Sequence, residues 1–157
     1  MPSPLAITCT VALPSGQHIP RLGFGVYRSP PDRTQASVTT ALEAGYRHID
    51  TAQVYKNEAE VGDAVRLFCA RGEVRREEVW VTTKLRDAPG RLGRKRLGNV
   101  PDLLRESVAK VAGEEGYVDL LLIHSPYAGP EGRAVQWRAL EALKREGKVR
   151  ALGVSNL

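Results

Sequence analysis

Four polar residues in this 157-residue chain have the types and the placement to do chemistry: Asp50, Tyr55, Lys84 and His124. Three lie at or near the downstream end of an apolar run. Arg47-His-Ile-Asp-Thr-Ala52 carries Asp50, and Tyr55 follows five positions later. Val79-Trp-Val-Thr-Thr-Lys84 ends on the lysine, and Tyr117-Val-Asp-Leu-Leu-Leu-Ile-His124 ends on the histidine. In a parallel α/β protein the downstream strand ends gather on one face, so residues placed this way converge. A tyrosine beside a lysine, a carboxylate and a histidine makes a proton-donating site.

The chemistry that suits this set is reduction of a carbonyl. As hydride reaches carbon, negative charge grows on oxygen and must be met by a proton and by fixed dipoles. A free phenol, with a pKa of about 10, holds its proton near neutrality. An ammonium such as that of Lys84 beside Tyr55 would favour the phenolate and make the phenol a better acid. Asp50 would pair with Lys84, keeping it charged and aimed, and His124 would hydrogen-bond the same substrate oxygen. Singly, each residue has an ordinary alternative. Asp50 could cap a turn, Tyr55 could be a half-buried surface ring, Lys84 could be solvated, and His124 before Ser125-Pro126 could be a satisfied turn histidine. Together, complementary groups at three strand ends point to one site.

The elements that must position these groups alternate along the chain. Ile7–Val11 and Gln17–Ile19 flank Leu13-Pro-Ser-Gly16, which reads as an N-terminal hairpin. Strands are expected over Leu22–Tyr27, Arg47–Thr51, Val79–Thr83, Val118–Ile123 and Val149–Val154. Helices are expected between them. The first runs from Pro31 to about Ala44, with Asp32 as its N-cap and Gly45 as its stop. The second spans Glu58–Ala70, with Val61, Ala64, Val65 and Phe68 on one face and Gly72 beyond its end. The third is Pro101–Val111. The fourth is Ala134–Glu146, with Trp137, Leu140 and Leu143 on one side. Such alternation implies a parallel sheet with right-handed crossovers. Gly23-Phe-Gly25 lacks the third glycine of a dinucleotide-binding loop and sits at a strand start, so a Rossmann unit is disfavoured. A (β/α)8 barrel takes about 250 residues, and this chain holds roughly five of the eight βα units. The expected fold is therefore α/β, a partial (β/α)8 TIM barrel with an N-terminal β-hairpin, built as one domain over residues 1–157.

Composition narrows the function classes. The chain is 42% hydrophobic and 26% charged, ordinary for a globular protein. A net charge of +5 mildly favours acidic partners such as phosphorylated cofactors. No apolar run approaches the ~20 residues of a membrane span. The N-terminus lacks a signal-peptide pattern, and the expected location is cytoplasmic. Cys9 and Cys69 form neither a metal spacing nor a disulfide framework. His18, His48 and His124 show no ligand spacing, and no G-x-S-x-G elbow marks a serine hydrolase. The basic stretch Arg86–Asn99 lacks the interleaved aromatics of a nucleic-acid surface and reads as solvated.

Longer motifs carry a resemblance. Gly45-Tyr-Arg-His-Ile-Asp-Thr-Ala-Gln-Val-Tyr-Lys-Asn-Glu58, Val118-Asp-Leu-Leu-Leu-Ile-His-Ser-Pro126 and Gly147-Lys-Val-Arg-Ala-Leu-Gly-Val-Ser-Asn156 resemble, in order, three signatures of the aldo-keto reductase superfamily. Leu22-Gly-Phe-Gly25 and Val81-Thr-Thr-Lys84 match its first and third strand ends. The resemblance implies a (β/α)8 barrel that reduces small aldehydes or ketones with NADPH. It implies Tyr55 as general acid, Asp50 and Lys84 as its tuning pair and His124 as carbonyl-orienting group. Ser155 and Asn156, with Asp50, would meet the nicotinamide end of the cofactor, and the hairpin would plug the barrel. Ser125 stands where many members carry tryptophan, a departure that would alter the substrate pocket.

The family continues through three further strands that supply the stacking residue, the pyrophosphate loop and the 2′-phosphate contacts. The expectation is thus an incomplete, C-terminally truncated domain with a full tetrad and a partial cofactor site. Self-association through open barrel edges is expected of such a chain. An inactive fragment or a half-barrel interaction module is the alternative to a working enzyme. The isolated chain is expected to bind NADPH poorly or not at all; a fluorescence titration checks this, and micromolar affinity would overturn it.

Overall fold

The computed structural model describes residues 6–86 and 100–156. Strands β1 (Thr10–Ala12) and β2 (His18–Pro20) pair antiparallel as the hairpin. A five-stranded parallel sheet follows in the order β3-β4-β5-β6-β7. Its strands are β3 (Phe24–Gly25), β4 (His48–Asp50), β5 (Trp80–Leu85), β6 (Val118–Ile123) and β7 (Val149–Val154). The crossovers carry α1 (Pro31–Glu43), α2 (Glu58–Cys69), α3 (Val100–Ala112) and α4 (Gly129–Arg145). Sequential strands paired as neighbours, with a helix in each long crossover, make this the expected partial barrel with its hairpin.

The sheet sorts its side chains by the two-residue period of a strand. Ile49, Val81, Leu85, Leu121 and Ile123 are buried in one core with Val38 and Leu42 of α1, Val61 and Val65 of α2, Leu104 and Val108 of α3, and Leu140 and Leu143 of α4. The opposite face carries His48, Asp50, Thr82 and Lys84, whose neighbours in sequence point into the helix layer. The chemistry expected of the chain therefore lies on the face that the helices do not cover.

Several boundaries differ from expectation. The first barrel strand shrinks to Phe24–Gly25, paired on one side with β4. Helix α1 begins at Pro31 with Pro30 in the N-cap position, and no side chain caps it. Asp32 sits instead in the first turn, where its charge complements the helix dipole. Helix α4 starts at Gly129, five residues ahead of Ala134, because Pro130 fits the first turn and needs no N–H partner there. Trp137 is only partly buried beside fully buried Leu140 and Leu143. Gly45, Gly72 and Gly147 follow helix ends with positive φ, as C-terminal stops require. The basic stretch beyond Arg86 lies outside the described residues.

Two contacts anchor the structure at the strand starts. Gln17 Nε2 donates to the Arg150 carbonyl at 3.1 Å, and His48 Nδ1 lies 3.3 Å from the Pro20 carbonyl. Asp119, fully buried, accepts the Val81 N–H at 3.0 Å and pairs with Arg76 at 3.0 Å and Arg150 at 2.9 Å. Both guanidinium groups also lie over the Tyr117 ring. Among the described residues no helix is long and apolar enough to cross a membrane.

Helices α2 and α3 cross closely at Gly62, where a Cβ would strike the backbone carbonyls of Lys110 and Val111. Alanine is the better helix former by about 1 kcal/mol, but backbone on two sides cannot yield as a flexible side chain can. Gly62→Ala should therefore destabilise the fold by about 1–3 kcal/mol. A urea melt monitored by circular dichroism measures it; an unchanged midpoint would show that the two helices separate freely.

Candidate active site

Lys84 is the penultimate residue of β5, with its side chain turned away from the helix layer and only 7% of the residue exposed. A buried ammonium is costly unless its charge and its three donors are met. Asp50, at the end of β4, accepts from Nζ at 2.5 Å, and the Thr51 carbonyl accepts at 3.0 Å. The ammonium also lies 5.1 Å from the centroid of the Tyr55 ring, within reach of its electron-rich face. His124, immediately after β6, meets the same ring edge-on, with centroids 5.8 Å apart and planes at 79°. The four residues singled out from sequence thus stand together at the downstream ends of β4, β5 and β6.

Each is placed by its element. Register sets Asp50 opposite Thr82 and Lys84 opposite Leu122. Tyr55 sits on a three-residue 3-10 turn, Gln53–Tyr55, that follows β4. The His124 N–H donates to the Leu85 carbonyl at 3.2 Å, which extends the β5–β6 ladder to the histidine. Ser155 and Asn156 adjoin through the backbone. The Ser155 N–H donates to the Ile123 carbonyl at 2.9 Å, and Asn156 Nδ2 donates to the His124 carbonyl at 2.8 Å and to Ser155 Oγ at 3.0 Å. Asn156 holds a left-handed φ of 58°, a conformation asparagine tolerates better than most residues.

Other residues of the site were not legible beforehand. Tyr27 packs against Tyr55 at 5.0 Å between centroids and is 64% exposed, so it walls the approach from solvent. Thr51 and Asn57, both fully buried, bond each other across the turn that holds Tyr55. Glu58, buried at the start of α2, accepts from Thr83 Oγ1 at 2.6 Å and Ser107 Oγ at 2.7 Å. It joins α2 and α3 to the strand residue beside Lys84. One signal marked it: Glu58 shares the helical phase of Val61, Gly62 and Val65, which sets a carboxylate on an apolar stripe.

A second polar layer lies one pleat below. Pro20 offers only a carbonyl, so His48 Nδ1 is the donor in that bond, and Nε2 accepts the Thr82 hydroxyl at 2.9 Å. That tautomer is neutral, and burial pushes the His48 pKa below its usual 6.5 against the upward pull of the Pro20 bond. A depressed histidine contributes stability in full above about pH 6.5, lost progressively as pH falls below that value. Among the described residues no group of three or more His, Cys, Asp or Glu could hold a metal ion.

Comparison with known proteins gives a consistent picture. The sequence profile of the Aldo/keto reductase family matches residues 21–157. An uncharacterized oxidoreductase of Schizosaccharomyces pombe is 40% identical over 146 residues, covering 93% of this chain and 49% of the relative. Aldo-keto reductase family 1 member A1 of Bos taurus is 37% identical over 171 residues, covering 97% and 50%. The crystal structure of an aldo/keto reductase from Brucella melitensis superposes with a TM-score of 0.81 at 38% identity, covering 96% of this chain and 54% of that one. That of a Bombyx mori aldo-keto reductase in complex with NADP gives 0.79 at 34% identity, covering 96% and 51%. The chain spans about half the length of the curated relatives it matches.

Burial pushes the Glu58 pKa above its usual 4.5, while the Thr83 and Ser107 hydroxyls hold it partly down. The folded chain then binds the extra proton between the two values, so stability falls as pH rises through that window. Glu58→Gln keeps the acceptor for both hydroxyls and removes the charge. It should raise the melting temperature near about pH 7 and flatten that fall. Thermal melts of both forms across pH check this; parallel curves would show Glu58 carries no such penalty.

Proposed function

The chain belongs to the aldo/keto reductase family, and on that premise we propose that it carries the proton-donating site of an enzyme that reduces aldehydes or ketones to alcohols. The observation that carries this reading is the buried Lys84 ammonium, bound to Asp50 and set against the ring of Tyr55. In this reading Tyr55 is the general acid. Its hydroxyl gives a proton to the carbonyl oxygen as that oxygen gains charge, and the phenolate so formed is stabilised by Lys84. Asp50 keeps Lys84 charged and directed. His124, edge-on to the tyrosine, orients the carbonyl. Tyr27 limits water at the mouth of the site.

NADPH is the proposed cofactor; when bound it supplies the hydride. The donor set of this chain suits the carboxamide of a nicotinamide. Asn156 spends its amide protons on His124 and Ser155, which leaves its carbonyl oxygen to accept and the Ser155 hydroxyl to donate. A carboxamide needs one of each. The Bombyx mori structure, solved with NADP, supports the choice.

Steady-state oxidation of NADPH with a generic aldehyde tests the reading. Tyr55→Phe removes only the hydroxyl, and turnover should fall by about 100-fold or more. Activity that persists in the variant would exclude Tyr55 as the acid.

A further inference from the structure

Asn57 lies two residues after Tyr55, fully buried at the start of α2, yet its side chain does not cap the helix. Nδ2 donates to the carbonyls of Val26 and Ser29, both at 3.0 Å, and Oδ1 accepts the Thr51 hydroxyl at 2.7 Å. Val26 and Ser29 offer carbonyl oxygens to this amide, so its orientation has a single solution. Thr51 in turn is held at three points. Its N–H donates to the Thr82 carbonyl at 2.9 Å, its hydroxyl donates to Asn57, and its carbonyl accepts the Lys84 ammonium.

The arc between Thr51 and Asn57 holds Tyr55, and few backbone bonds lie within it. It consists of one 3-10 turn, whose bonds are Tyr55 N–H to Ala52 O at 2.9 Å and Lys56 N–H to Gln53 O at 3.3 Å. Lys56 then takes a left-handed φ of 59°, which costs a non-glycine residue about 1 kcal/mol and persists only where its surroundings impose it. Its surroundings are the Asn57–Thr51 bond, which closes the two ends of the arc, and the Gln53 side chain, whose Nε2 donates to the Leu103 carbonyl at 2.9 Å and whose Oε1 accepts the Arg86 N–H at 2.8 Å.

We propose that Asn57 is a positioning residue of the tetrad, fixing the Tyr55 ring against Lys84 by clasping both ends of the arc through Thr51. This rests on the carbonyl-reduction reading, in which the place of the phenol matters. The same bond that closes the arc also fixes the carbonyl that receives Lys84, so acid and ammonium are set from one point. A bond that merely fastened α2 to the loop after β3 would need the Val26 and Ser29 contacts alone.

The test uses the full 157-residue chain, uniformly isotopically labelled for NMR. Asn57→Ala strips every bond at once and endangers the fold, so the decisive variant is Thr51→Val, which removes a single hydroxyl. The wild type should show cross-peaks between the Tyr55 ring and the Lys84 side chain. Thr51→Val should lose them while amide cross-peaks between β5 and β6 persist, and Thr51→Ser should restore them. Retention of the Tyr55–Lys84 cross-peaks in Thr51→Val would overturn the proposal. Absence of NADPH-dependent turnover with these cross-peaks behaving as expected would count against the reduction reading alone.

Discussion

A positive charge taken out of water has to be answered locally, and the Lys84 ammonium is that charge in this protein. With most of its side chain buried, it requires acceptors at fixed points. One is the Asp50 carboxylate and the other the Thr51 carbonyl, consecutive residues at the end of one strand. That requirement couples β4 to β5 in a single register, because a slip of one residue would turn Lys84 into the apolar helix layer. The parallel ladder supplies the register, and the largely apolar helix layer leaves the other face of the sheet as the place for an ammonium. The Tyr55 ring then lies against a charge already immobilised.

The same sheet separates two kinds of polar cluster. Upstream, Asp119 with Arg76, Arg150 and Tyr117 ties strand starts together through short, mutually satisfied contacts. Downstream, the groups that could act on a substrate are gathered at strand ends. In barrel folds the first location concerns stability and the second concerns chemistry. Charges are buried at both, but Asp119 is enclosed by two cations, whereas Asp50 keeps a third of its side chain exposed. A partly open carboxylate is what a site facing a ligand requires.

Much of this was legible in the sequence because it depends on short-range signals. Glycines with positive φ stop the helices where they stand, and β6 and β7 run over the residues their apolar runs mark. Asp50, Tyr55, Lys84 and His124 were legible because residue type and strand-end placement suffice to bring them together. The start of α4 was misplaced because Gly129-Pro130 looks like a loop until its proline is placed in a first turn. Asp32 was misread as a cap because Pro30 and Pro31 already define the chain direction there. Asn57 was opaque for a different reason. Its partners come from the ends of β3 and β4 and the loop before α1, and no local pattern shows an amide that three distant segments will saturate. Tyr27 likewise meets Tyr55 only once β3 has paired with β4.

The hairpin has a mechanical side. One of its residues, Gln17, holds the backbone of the last strand of the sheet, and another, Pro20, holds a side chain of the second. A rigid piece fastened near both ends of a curved row of strands acts as a chord across an arc. Five strands joined only to their neighbours could flatten or coil further, since each pair tolerates a range of twist. With the chord in place, the radius of the arc is set from below, and the separation of β4 and β7 at their upper ends follows from it. The distance between the carboxylate side of the site and Ser155 and Asn156 is thus governed by a single hairpin at the opposite ends of the strands.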